Sequence, residues 1–195
     1  MTPSPMIEVE KKFILSDSDV DRLTEGVPLL SERSFTDVYY DDAIFSLTIK
    51  DRWLRRRDGK WELKMPLHDG ADRLADQYDE ITDVAKIWAA LGVPDGKGYT
   101  PFVSIITSRR KYKTGSFVLD LDAVDFGTFV YHIFEIELLV NEKSEIEGAI
   151  QKILAFAKEK NLTIAPVRGK VVEYLKRERP EHYQALLAAK VVKDF

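Results

Sequence analysis

Ionisable side chains recur at every second position in several short stretches of this sequence. Glu8-Val9-Glu10-Lys11-Lys12 comes first. Trp53-Leu54-Arg55-Arg56-Arg57, Trp61-Glu62-Leu63-Lys64-Met65, Leu119-Asp120-Leu121-Asp122 and Phe134-Glu135-Ile136-Glu137-Leu138 follow. Arg109 and Lys111 share the spacing. Successive side chains on a β-strand point to opposite faces, so each stretch, read as a strand, has one ionic and one apolar face. Glu8, Glu10 and Lys12 face away from Ile7 and Val9, and Phe13 continues the apolar side. Carboxylates with no histidine or cysteine beside them are hard oxygen donors that suit Mg²⁺ or Mn²⁺. Arginine grips phosphate oxygens through two parallel bonds, and lysine adds compact charge. Metal, arginines and lysines in one place are the equipment of phosphoryl transfer. No G-x-x-x-x-G-K-S/T loop occurs, and Gly96-Lys97-Gly98 is too bare to replace one. Side chains, not backbone amides, would then hold the phosphates.

Two arrangements satisfy the alternation. An open sheet can pack one face on helices and leave the other in water. A closed sheet turns the ionic face into a lumen. Solvent faces usually mix in Thr, Ser and Gln, whereas these faces are nearly all charged, with acids concentrated on some strands and bases on others. A lumen lined by one sign alone would repel itself. One lined by both can hold a metal at one wall and a polyanion at the other.

The elements that must position these residues can be read along the chain. Ser16-Asp17-Ser18-Asp19 offers N-caps for a short helix over 17–26, ending at Gly26. Strands are predicted over Ser34–Tyr40, Trp53–Arg57, Trp61–Met65, Gln77–Ile81, Val103–Lys113, Ser116–Leu121 and His132–Val140. Asp58-Gly59 marks a hairpin, and Gly115 a second turn. A helix over 83–91 stops at Gly92. Ser144-Glu145-Ile146-Glu147 reads as a capping box opening a helix to about Lys160. Lys170–Arg179 reads as another helix, and Pro180 suits the first turn of a last one. Many antiparallel strands and a few helices predict an α+β domain with a barrel-like sheet, occupying 1–195 as one unit.

Composition narrows the function classes. At 195 residues, with 45% hydrophobic and 32% charged residues, the chain has the makings of a soluble globular core. A net charge of -4 argues against a nucleic-acid coat. The absence of cysteine excludes disulfides and thiolate chemistry and suits the cytoplasm. No apolar run approaches a membrane span, and MTPSPMIEVEKK lacks a signal-peptide core. His68, His132 and His182 show no paired spacing that would build a zinc site.

The ordered set of charged stretches, opening with the E-x-E-x-K of Glu8 to Lys12, resembles the CYTH family, also called triphosphate tunnel metalloenzymes. The resemblance covers nearly the whole chain. It implies a closed antiparallel β-barrel of about eight strands with flanking helices, whose ionic lumen binds a triphosphate and a divalent metal. Within the family the chain is most similar to the animal-type thiamine triphosphatase branch. Asp37-Val38-Tyr39-Tyr40-Asp41, the Trp53 stretch, Asp125-Phe126-Gly127 and Tyr174-Leu175 echo that branch, while the segment from Asp125 to Glu135 looks longer than in it.

By resemblance, Glu8, Glu10, Asp120, Glu135 and Glu137 form the metal wall, with Mg²⁺ or Mn²⁺ as cofactor. Asp122 shares their parity as ligand or neighbour. Arg55, Arg57, Lys64 and Arg109 hold phosphate oxygens, as does Lys12, and Lys170, with Arg168 as its rival, supplies a further cation. Lys12 beside Tyr39 would favour the phenolate and help activate the attacking water. Trp53, on the face of Arg55 and Arg57, can stack on a cationic ring such as a thiazolium. The expected reaction is hydrolysis of the terminal phosphate of thiamine triphosphate by a monomer, with no nucleic-acid or membrane partner. An inorganic tripolyphosphatase, a nucleoside triphosphatase, a class IV-type adenylyl cyclase and a non-catalytic triphosphate binder remain open alternatives.

Overall fold

The computed structural model describes residues 7–195; the first six residues, on which part of the targeting reading rests, lie outside it. Eight strands are present among the described residues. They are β1 (Ile7–Phe13), β2 (Leu29–Asp41), β3 (Trp53–Arg57), β4 (Lys60–Pro66), β5 (Asp76–Ile81), β6 (Thr100–Thr114), β7 (Phe117–Asp125) and β8 (Val130–Val140). The helices are α1 (Asp17–Thr24), α2 (Val84–Leu91), α3 (Ile146–Glu159), α4 (Lys170–Glu178) and α5 (Pro180–Ala188). The strands close into an antiparallel barrel in the order β1-β5-β4-β3-β2-β6-β7-β8. An eight-stranded barrel is just wide enough to fill with side chains or to hold one small ligand.

Local chemistry explains the turns. The β3–β4 hairpin turns through Asp58 and Gly59 at φ 47° and 83°, the left-handed pair that a tight hairpin requires. Asp83 caps α2 by accepting from the Lys86 amide, and Gly92 ends it at φ 71°. The box expected at Ser144 lies two residues earlier. Glu142 caps a one-turn 3₁₀ helix over Lys143–Glu145, Glu145 accepts from the Glu142 amide, and α3 then starts at Ile146. The Ser144 hydroxyl donates instead to Glu142. Strands β2, β6, β7 and β8 outrun their predicted spans because their ends are held by pairing partners distant in sequence.

The apolar faces point outward. Val9, Phe13, Leu119, Phe134 and Ile136 pack against Ala149, Ile150, Ile153 and Ala157 of α3. Leu54 and Leu63 pack against Ile87 of α2. At one end the inner face itself turns apolar. Val103, Ile105, Val124 and Ile133 continue the parity of Arg109, Asp122 and Glu135, and α4 and α5 cover them with Val171, Leu175, Tyr183 and Leu186. Two helices thus sit over the lumen rather than on the outer face. No helix among the described residues is long and apolar enough to cross a membrane.

Candidate active site

Register decides what meets inside the barrel. Arg57 lies opposite Asp37, and Arg55 opposite both Tyr39 and Glu62. Lys64 lies opposite Glu80, Arg109 opposite Asp122, and Lys111 opposite Asp120. These opposite-sign pairs stabilise the ladder. Four pairs break the rule: Glu10 faces both Glu137 and Asp76, Asp120 faces Glu135, and Arg33 faces Arg109.

The inward side chains enclose a cavity of about 540 Å³. It is lined by Glu8, Glu10, Lys12, Tyr39, Trp53, Arg55, Arg57, Lys64, Arg109, Glu135, Glu137 and Lys170. Asp120 is not on its surface; it lies 1% exposed behind Arg109 and Lys111. Arg55 reaches Glu62 at 2.7 Å, Glu80 at 2.9 Å and the Tyr39 hydroxyl at 3.2 Å. Arg57 makes a two-pronged pair with Asp37, both bonds 2.8 Å. Arg109 makes another with Asp122, both 2.6 Å, and also reaches Asp120 and Glu135. Lys12 donates to Glu10 at 2.6 Å and to Asp76 at 2.5 Å, so its bonds go to carboxylates and those of Tyr39 to Arg55. Lys64 is paired with Glu8 and stands 3.7 Å from Glu10.

The base of α4 brings in Lys170, whose Nζ lies 3.1 Å from Asp122. Arg168 instead pairs with Glu173 at 2.7 Å at the cavity edge. Gly169 precedes α4, and a Cβ there would come within 3.3 Å of Lys12 Cε, so glycine lets the lysine pass. Phe35, two residues before Asp37, is 3% exposed and is surrounded by cations. Arg57, Arg109 and Lys170 place their charged centres 4.3, 5.6 and 5.6 Å from its ring centre.

Crowding shows in the acid equilibria. Burial and the Glu8, Asp120 and Glu10 carboxylates push Glu137 up to about 8, against Lys111. Burial and Glu10 raise Glu135 to about 6, against Lys12 and Arg109. For Glu10, burial is outweighed by Lys12 and Lys64, and its carboxyl falls to about 2. Burial opposes the charge of Lys64, yet Glu10, Glu8 and Glu80 hold it protonated.

Does this wall fit a divalent cation? All donors are carboxylate oxygens, Glu10 and Glu137 stand directly opposite each other, and the buried Asp120 Oδ1 makes no hydrogen bond, with only the Lys111 ammonium 3.3 Å away. That chemistry fits a hard dication. Lysine and arginine are interleaved among the acids, and among the described residues no three carboxylates or histidines converge into a ready-made metal nest.

Several contributors are absent from the site residues predicted on the sequence. Asp76 and Glu80 bracket Tyr78 on β5, and that two-residue spacing was the available signal. Asp51 carries no such signal. It follows the 3₁₀ turn Thr48–Lys50, and its partners come from elsewhere in the chain.

The arrangement can bind a multiply charged anion against arginines and lysines beside a carboxylate wall. Comparison with known proteins agrees. A thiamine-triphosphatase of Macaca fascicularis is 34% identical over 206 aligned positions, covering 93% of this chain and 90% of that protein. A human thiamine-triphosphatase is 33% identical with the same coverage, 93% and 90%. A Pyrococcus horikoshii protein of known structure superposes with a TM-score of 0.68 at 23% identity, covering 88% of this chain and 99% of that one. The family model of the CYTH domain matches residues 6–164, and the chain belongs to the CYTH family.

Proposed function

We propose that this protein hydrolyses the terminal phosphate of thiamine triphosphate, giving thiamine diphosphate and phosphate. The observation that carries the reading is that one cavity inside the closed barrel joins a basic wall, a carboxylate wall and Trp53 in a chain about a third identical to thiamine-triphosphatases. Arg55, Arg57, Lys64, Arg109 and Lys170 hold the phosphate oxygens, exchanging internal carboxylate partners for the ligand. Glu8, Glu10, Asp120, Glu135 and Glu137 would hold Mg²⁺ or Mn²⁺. When bound, the ion neutralises charge on the transferred phosphoryl group and orients it. Tyr39, steadied by Arg55, positions the attacking water, and Lys12 adds positive charge from the side of Glu10 and Asp76. Trp53 stacks on the thiazolium. Residues 1–195 act as one unit, because α4 supplies Lys170 to the barrel. The cysteine-free composition suits the cytoplasm, and the protein is read as acting there as a monomer.

Phosphate release from thiamine triphosphate, ATP and inorganic triphosphate, each with Mg²⁺ or Mn²⁺, tests the reading. Preference for thiamine triphosphate is expected. Turnover of inorganic triphosphate faster by a large factor overturns the substrate assignment, cyclic AMP formation from ATP would make it a cyclase, and tight binding without phosphate release would make it a binder.

A further inference from the structure

Beside Trp53 a single carboxylate collects three hydrogen-bond donors and an ion-pair partner. Asp51 is 7% exposed and lines the cavity. Its Oδ1 accepts from Trp53 Nε1 at 2.7 Å and from the Tyr78 hydroxyl at 2.9 Å. Its Oδ2 lies 2.8 Å from His68 Nε2 and 3.5 Å from an Arg73 guanidinium nitrogen. His68 Nδ1 accepts the Gln77 amide proton, so Nε2 carries the ring proton and donates to Asp51. The backbone of Asp51 is left-handed, φ 56° and ψ 29°, a conformation Asp and Asn tolerate best among non-glycine residues.

Two of these three donors belong to rings that line the cavity, and Val171 and Val172 of α4 pack in the same cluster. Both rings could turn about their side-chain torsions if packing alone held them. A charge-assisted bond to one shared oxygen removes that freedom and fixes the two ring planes relative to each other. A flat organic cation stacked on Trp53 depends on that plane, whereas phosphates held by the arginines do not.

We propose that Asp51 is a positioning residue that sets specificity: it orients Trp53 and Tyr78 as the walls of the subsite for the organic part of the substrate. This rests on the thiamine triphosphate reading above. Asp51→Asn keeps the shape and tolerates the backbone, but it presents an amide donor where donors already point. The ratio of kcat/KM for thiamine triphosphate to that for inorganic triphosphate is expected to fall about tenfold, mainly through KM, the size of one charged hydrogen bond. Replacing Trp53 by benzothienylalanine, which keeps the ring and removes only the N–H donor, should lower the ratio similarly, and combining the two changes should add little. That second variant leaves Asp51 intact and decides the matter if Asp51→Asn does not fold. An equal loss for both substrates, the result expected if Asp51 acts only through Arg73, Asp76 and Lys12, overturns the proposal, as does an unchanged ratio. A wild-type protein that ignores thiamine triphosphate would overturn the substrate reading instead, before any variant is compared.

Discussion

Arg109 illustrates how a lumen residue can serve stability and binding at once. Its guanidinium touches Asp120, Asp122 and Glu135, all nearly buried. Removing one partner of a buried ion pair strands charge and costs about 3–5 kcal/mol. Arg109→Ala is therefore expected to lower unfolding stability by about 3 kcal/mol in urea melts as well as abolishing turnover; an unaltered midpoint would show that the pairs contribute nothing net. Phe35 tests a subtler contribution. Its ring lies within 6 Å of cations from β3, β6 and α4, each such contact worth about 0.5–2 kcal/mol. Successive fluorination of that ring drains its negative face without altering its shape much. KM for inorganic triphosphate should rise with each fluorine, and a flat series would reduce Phe35 to a filler.

Elements carry the next level. His182 of α5 packs on the 3₁₀ turn before Asp51, its Nε2 2.7 Å from the Thr48 hydroxyl, which itself donates to Asp41. Phe45 stacks on the imidazole at 3.9 Å. Burial, aided by Arg179 and opposed by Asp41, lowers His182 from 6.5 to about 4. Between those values the unfolded chain binds a proton that the folded one refuses, so stability grows with pH there and is lost on acidification through the same window. Urea melts at intervals across it should show that slope, and His182→Gln should reduce it.

The same element explains what the sequence could and could not reveal. Strand parity is local, so the faces of Glu8 to Lys12 or Trp53 to Arg57 are legible from five residues. Closure is not local: β1 meets β5 and β8 across most of the chain, and only those pairings turn an ionic face into a lumen. The first half of β2 is largely exposed, with no alternation to betray it, and exists because β6 pairs with it. Asp51 is invisible for the same reason, since a left-handed residue after a single turn has no period. The apolar end of the lumen was hidden because Val103 and Ile133 look like any outward strand residue until α4 is placed.

For the whole molecule, the barrel is neutralised from within. Arginines and lysines that would hold phosphate are paired with Asp37, Asp122, Glu8 and their neighbours. Substrate and metal then act as a double exchange, in which the anion takes the cations and the dication takes the released carboxylates. Either alone leaves one sign uncompensated. Thermal unfolding should thus rise more with inorganic triphosphate and Mn²⁺ together than with the sum of the two separate shifts, and strict additivity would count against exchange.

The most direct measurement is a crystal structure with inorganic triphosphate and Mn²⁺, located by anomalous scattering. The account predicts phosphate oxygens on Arg55, Arg57 and Arg109, manganese on the wall of Glu8, Glu10 and Glu137, and the Lys64–Glu8 pair opened. Triphosphate found outside the barrel, with every internal ion pair intact, would contradict it.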